Sequence, residues 1–197
     1  MGKIIYITGG ARSGKSTFAE EKAISFGEKI NYIATSEAFD DETKKRVEEH
    51  QKRRDGRFVT VEAYKEFDKV FKNVAEGTIL FDCITNMVNN LMFENNIDWD
   101  NVKSQEIDEI EKEINTEVDL LLNEMEKHVG TSIVVSNELG MGLVPIYPLG
   151  RYFRDIAGRI NQKIAKHSDE VYFVVSGIPM KIKTNYMKSS KKLYEVK

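Results

Sequence analysis

Eight consecutive residues, Gly9-Gly10-Ala11-Arg12-Ser13-Gly14-Lys15-Ser16, concentrate the most specific chemistry of the chain. They match the pattern G-x-x-x-x-G-K-[ST] at every position. They follow an apolar run, Ile4 to Ile7, and precede a segment of helical character, the order that a phosphate-binding loop requires. The glycines let the backbone curl until several N–H groups converge on phosphate oxygens, helped by the positive end of the following helix. Lys15 is then expected along the β- and γ-phosphates, with the Ser16 hydroxyl on Mg²⁺.

A carboxylate is the next requirement of such a site. Asp82 ends the apolar run Ile79-Leu80-Phe81, the position from which a strand supplies an acid to the magnesium shell. An N-cap for the segment from Ile84 to Leu91 is the alternative role. A third element of interest lies between Asp40 and Arg57. Its residues favour helix, yet Val47 is the only large aliphatic side chain before Phe58, so it has little to bury. Seven basic residues stand against four acidic ones between Glu42 and Arg57, a local surplus suited to a triphosphate. His50 follows Val47 by three residues and shares its face with Arg46 and Arg54. Neighbouring positive charge disfavours imidazolium and leaves a ring nitrogen free as nucleophile or base, although Glu49 pulls the other way. On spacing alone a single histidine on a charged helix is more often a solvated surface residue than a catalytic one. His128 and His167 stand at helix C-terminal ends, where capping is the simpler account.

These residues need a scaffold, and the hydrophobic pattern supplies one. Short β-rich runs (Ile4 to Thr8, Ile30 to Thr35, Thr78 to Asp82, Ser132 to Ser136, Val171 to Ser176) alternate with longer amphipathic segments. The longest, from about Asn101 to His128, sets Val102, Ile107, Ile110, Ile114, Val118, Leu121, Leu122 and Met125 on one stripe. A second runs from about Tyr152 to Lys166. The pattern predicts an α/β fold, P-loop NTPase-like, with a mainly parallel sheet and helices on both faces. In such sheets ligands gather outside the carboxyl ends of the strands, and those ends are small or polar here.

At 197 residues and 41% hydrophobic content, the chain suits a single domain, expected to span residues 1–183. The six lysines after Met180, faced only by Glu195, predict a basic and solvated C-terminal tail at 184–197. A net charge of -3 argues against nucleic acid as partner. One cysteine, Cys83, permits no internal disulfide, and no apolar run reaches membrane-spanning length; a cytoplasmic location is expected.

Taken together, the phosphate loop, Tyr32-Ile33-Ala34-Thr35-Ser36, Arg46 to His50, Asp82-Cys83-Ile84-Thr85, Asn89-Asn90-Leu91, the run Ser136-Asn137-Glu138-Leu139-Gly140-Met141-Gly142-Leu143-Val144-Pro145 and Phe153 to Gln162 resemble a known family. It is the bifunctional adenosylcobinamide kinase / adenosylcobinamide-phosphate guanylyltransferase family of cobalamin biosynthesis. The resemblance covers about residues 3 to 183. It implies that ATP or GTP phosphorylates adenosylcobinamide, that GTP then guanylylates a histidine, and that the phosphorylated corrinoid takes up GMP to give adenosylcobinamide-GDP. The family's Arg-aliphatic-x-x-His segment falls on Arg46-Val47-Glu48-Glu49-His50, which makes His50 the implied nucleophile. Some relatives carry two adjacent histidines there; the first is Glu49 in this chain. The resemblance adds Thr35, Ser36, Glu37, Gln51, Lys52, Arg53, Arg54, Glu62 and Asp82 to the nucleotide contacts. A carboxylate such as Glu62 suits the adjacent N1–H and N2–H₂ donors of guanine. The resemblance further implies a homo-oligomer, a trimer. A small-molecule kinase without covalent guanylylation and a nucleotide-dependent switch are the competing readings.

Overall fold

Runs rich in β-branched and aromatic residues become strands and the amphipathic runs between them become helices in the computed structural model, which describes residues 2–27, 29–36, 56–94 and 97–184. In chain order the elements are β1 (Lys3–Gly9), α1 (Lys15–Ile24), β2 (Ile30–Ala34), β3 (Phe58–Glu62), α2 (Phe67–Val70), β4 (Gly77–Asp82), α3 (Ile84–Phe93), α4 (Ser104–Lys127), β5 (Gly130–Asn137), α5 (Pro148–His167), β6 (Glu170–Val175) and β7 (Ile178–Lys183). The strands form one sheet in the order β3-β2-β4-β5-β1-β6-β7. Every neighbouring pair is parallel except β6 and β7, which are antiparallel. The expected single-sheet α/β architecture is therefore present.

Each face of the sheet has its own core. On one face the buried residues Ile5, Ile7, Leu80, Ile133 and Val135 pack against Ala19 and Ala23 of α1. On the other, Val134, Ile79 and Phe81 meet α3, α4 and α5. The stripe expected on the long helix is buried from Ile107 to Met125, whereas Val102, ahead of the helix start at Ser104, is only half-buried against the same core. Each such side chain contributes about 1.5–3 kcal/mol of burial, so packing rather than propensity holds α4 to the sheet. Its first turn is closed by the Lys103 N–H donating to Glu106 Oε2 at 2.9 Å. Helix α5 begins a turn earlier than its apolar stripe because Pro148 occupies N1, where no N–H is needed.

Two strands escape the sequence pattern. Among the described residues strand β3 pairs only with β2, at the edge of the sheet, and leaves Val59 exposed, so its residues lack the continuous apolar character of a buried parallel strand. Strand β7 is the opposite edge. Its Ile-Pro-Met-Lys-Ile-Lys sequence carries the proline and lysines typical of edges. The turn before it has Ser176 at φ 52° and Gly177 at φ 80°, the paired left-handed conformation of tight hairpins. The reading of the lysines after Met180 as a solvated tail thus fails for two of them. Lys181 pairs with Glu170 at 3.1 Å. The Lys183 ammonium donates to the Ala165 and Lys166 carbonyls at 2.6 and 2.9 Å, at the end of α5. Residues 185–197 lie outside the described residues.

Candidate active site

The carboxyl edge of the sheet carries the phosphate loop, and main-chain bonds from both sides shape it. Gly9 closes β1, and its carbonyl accepts from the Glu138 N–H at 3.0 Å, beyond β5. On the other flank the Gly177 N–H donates to the Ser13 carbonyl at 2.8 Å. Within the loop the Ser13 N–H reaches the Gly10 carbonyl at 3.3 Å, and Arg12 adopts φ 59°. Gly14 is the N-cap of α1 at φ 92°, and a Cβ there would stand 3.1 Å from the Gly177 Cα. Only glycine meets both demands. No acidic residue occupies the first turn of α1, so the positive helix end faces the loop without a resident counter-charge from that turn. Lys15 is buried and its ammonium donates to the Gly10 carbonyl at 3.2 Å. The buried Ser13 hydroxyl has no hydrogen-bond partner among the described residues. Such an orphan costs about 1–3 kcal/mol, which an anionic ligand oxygen would relieve.

Asp82 is the last residue of β4. In register it pairs with Val135 of β5, which pairs in turn with Ile7 of β1, so one strand separates it from the strand of the loop. Strand alternation puts Asp82 with Leu80 on the α1 face, and the Tyr32 hydroxyl donates to its Oδ2 at 3.3 Å. The N-cap position of α3 belongs to Cys83 rather than Asp82. Burial first, and then the Asp82 charge, push the Cys83 thiol up to about 12, so it stays protonated and inert as a nucleophile.

Thr35 stands at the end of β2, 2% exposed. Its Oγ1 donates to the Cys83 carbonyl and accepts from the Cys83 N–H, each at 2.7 Å. The Thr35 N–H reaches the Asp82 carbonyl at 3.1 Å, and the Thr35 carbonyl accepts from Asn90 Nδ2 at 2.8 Å. Its hydroxyl thus brackets the residue after Asp82 and orients the end of β4.

Ser36 and Glu62 share with Thr35 a cleft of about 600 Å³ that continues past Tyr64, Lys65 and Lys69. This cleft lies over β2 and β3. Four strand spacings, roughly 19 Å, separate β3 from β1 across the sheet. The structure therefore groups Gly9, Gly10, Ala11, Arg12, Ser13, Gly14, Lys15, Ser16 and Asp82 centrally, and Thr35, Ser36 and Glu62 to one side. Glu37, His50, Gln51, Lys52, Arg53 and Arg54 lie outside the described residues. The chain leaves those residues at Ser36, in the cleft, and rejoins them at Gly56.

The residues that support this edge are less visible in sequence. Asn90 and Thr85 are buried polar groups on α3, whose other polar residues, Asn86 and Asn89, are less buried; both stand in the segments that carry the resemblance, but their supporting contacts leave no local signal. His128 and His167 sit at helix ends as expected. His128 Nε2 lies 3.0 Å from the Gly77 carbonyl, and His167 Nδ1 3.2 Å from Glu126 Oε1. After β5, Glu138 Oε1 accepts from the Gly140 and Met141 N–H groups, and the loop then exposes Leu143, Ile146 and Tyr147. Among the described residues no helix is long and apolar enough to cross a membrane, and no three His, Cys, Asp or Glu converge as a metal site.

Comparison with known proteins gives the fold and the family of the chain. The type III secretion ATPase of pathogenic bacteria superposes with a TM-score of 0.53 at 12% identity, over 95% of this chain and 58% of that one, a likeness of fold. The bifunctional adenosylcobalamin biosynthesis protein CobU of Escherichia coli K12 is 42% identical over 183 residues, 91% of this chain and 99% of its own length. The bifunctional adenosylcobalamin biosynthesis protein CobP of Pseudomonas aeruginosa is 36% identical over 90% of this chain and 95% of its own length. The profile of the cobinamide kinase / cobinamide phosphate guanyltransferase family matches residues 5–182, with the phosphate loop, Asp82 and the Glu62 cleft all inside the match, and the chain belongs to that family.

Proposed function

We propose that the protein phosphorylates adenosylcobinamide with ATP or GTP and then passes GMP from GTP, through a GMP–His50 intermediate, to the phosphorylated product, giving adenosylcobinamide-GDP. The observation that carries this is the match to relatives named as bifunctional over 99% of their length, with the phosphate loop intact.

In the first step Gly9–Ser16 hold the triphosphate through backbone N–H groups, and Lys15 spans its terminal phosphates. Ser16, at the start of α1, and Asp82, on the α1 face of the sheet, fit the hydroxyl and carboxylate of a Mg²⁺ shell. When bound, that ion neutralises charge developing on the leaving phosphate oxygens. In the second step the unprotonated nitrogen of His50 forms a bond to the α-phosphorus as the bond to diphosphate breaks, and diphosphate keeps the electron pair. A phosphate oxygen of the phosphorylated corrinoid then attacks the same phosphorus and releases the imidazole. Lys52, Arg53 and Arg54 neutralise the triphosphate beside His50, Gln51 donates a hydrogen bond to it, Glu37 and Ser36 flank it, and Glu62 reads guanine. Assembly as a trimer and a cytoplasmic location belong to the same reading.

Intact-mass measurement after incubation with GTP and Mg²⁺ tests it: the protein gains one acid-labile GMP, and His50→Ala gains none while still phosphorylating adenosylcobinamide. A wild-type protein that never acquires GMP leaves only the small-molecule kinase.

A further inference from the structure

Strand β5 runs between the strand of the phosphate loop and the strand of Asp82, and its last residue is Asn137. In the β1–β5 ladder Asn137 pairs with Gly9, the first residue of the loop; in the β4–β5 ladder Asp82 pairs with Val135, two residues earlier. Asn137 is therefore about one strand spacing, ~4.8 Å, from each neighbouring strand. Alternation decides its face. Ile133 and Val135 pack with Ala19 and Ala23 of α1, whereas Val134 packs on the opposite core and Ser136 bonds Asn161 of α5. The Asn137 side chain consequently shares the α1 face with Asp82 and with the start of the helix that carries Lys15.

A buried network fixes the backbone at this residue. The Asn137 N–H donates to Thr85 Oγ1 at 2.7 Å, and its carbonyl accepts from Asn161 Nδ2 at 3.0 Å. Ser136 Oγ donates to Asn161 Oδ1 at 2.8 Å and lies 3.1 Å from Thr85 Oγ1. Three polar side chains, all buried, thus hold one main-chain position. The Asn137 carboxamide itself has no hydrogen bond to a described residue. A network of that kind is costly unless complete, and its product here is a neutral donor held between a phosphate loop and a carboxylate.

We propose that Asn137 is a catalytic residue of phosphoryl transfer, its carboxamide N–H donating to a γ-phosphate oxygen of the nucleotide held by Gly9–Ser16. The assignment rests on the kinase reading above. In that step the acceptor hydroxyl oxygen bonds to the γ-phosphorus as the bond to the β-phosphate oxygen breaks. The nucleoside diphosphate keeps the electron pair and the hydroxyl proton passes to solvent. Asn137 gains and loses no proton; it stabilises charge on the equatorial oxygens.

The test compares Asn137→Ala and Asn137→Asp with wild type. In Asn137→Ala, kcat for adenosylcobinamide phosphorylation falls by about 10²-fold, the loss usual for one transition-state donor. GMP transfer to His50, which reacts at the α-phosphorus, changes far less. In Asn137→Asp the new charge faces the γ-phosphate, so affinity for a non-hydrolysable triphosphate analogue falls while affinity for the diphosphate holds. Equal losses for triphosphate and diphosphate, equal losses in both reactions, or an unchanged kcat would each overturn the proposal. Nucleotide discrimination is read without corrinoid. A wild-type protein inert toward adenosylcobinamide therefore defeats the kinase reading, while the binding comparison still judges where Asn137 points.

Discussion

The phosphate loop and the cleft beside Glu62 occupy the same edge of one sheet but are built from different materials. The loop sits over the interior strand β1 and is braced by main-chain bonds from the segment after β5 and from the β6–β7 turn. The cleft lies over β2 and the edge strand β3, and long side chains line it: Lys65, which pairs with Glu94 at 2.5 Å, and Lys69, which pairs with Glu66 at 2.5 Å. Such exposed pairs hold geometry weakly, by about 0–1 kcal/mol each. Phosphates are common to every nucleotide, and on the proposed function backbone N–H groups, which only a substitution by proline removes, meet them. Bases differ, and on the same proposal the replaceable side chains of the cleft discriminate among them.

Lys15→Ala should have the largest effect. If one triphosphate site serves both reactions, phosphorylation and GMP–His50 formation each fall by at least about 10²-fold with the fold retained by circular dichroism. Loss of phosphorylation alone would mean that the cleft holds its own triphosphate. Glu62→Gln acts only on the lateral region: the preference for GTP over ATP in adduct formation falls by about tenfold, the worth of one hydrogen bond, while phosphorylation by ATP keeps its rate. Equal loss of both reactions would remove Glu62 from base recognition.

Thr35→Val joins the two regions, because it leaves the Cys83 N–H and carbonyl without their shared partner. Urea unfolding should show a loss of about 1–3 kcal/mol, largely recovered in Thr35→Ser. If Thr35 orients the end of β4, nucleotide binding by the valine variant also needs more Mg²⁺.

The smallest effect, at the far side of the sheet, is a control. Burial opposes ionisation of Glu170, but hydrogen bonds from Lys3, Tyr172 and Lys181 outweigh it and hold the carboxyl at about 2. A depressed value stabilises the fold above the ordinary carboxylate range and loses that contribution as pH falls toward 2. Thermal melts should therefore show wild type more stable than Glu170→Gln at pH 6, with the gap closing between about pH 4.5 and 2. Neither reaction should change at pH 7. A gap independent of pH would mean that the ion pairs contribute nothing.

Legibility in the sequence tracked the locality of the signal. The strand-loop-helix unit around Lys15 is contiguous and was readable residue by residue. The stripe of α4 was readable because burial on one face imposes the helical period. Strands β3 and β7 were not, since edge strands are half solvated and dilute the apolar pattern. Resemblance assigns Thr35 to the nucleotide; the contact of its hydroxyl with Cys83, across 48 residues, is visible only in the fold.

From the linear chain alone came the ligand class, the α/β architecture and the family, because each depends on contiguous motifs or short periodicity. Folding alone decided that β5 separates the loop from Asp82, that Thr35 brackets the end of β4, and that Thr85 and Asn161 hold Asn137 between them. Those outcomes rest on strand order and on hydrogen bonds spanning 24 to 52 residues, which depend on the whole chain closing around two cores and leave no mark in any short window.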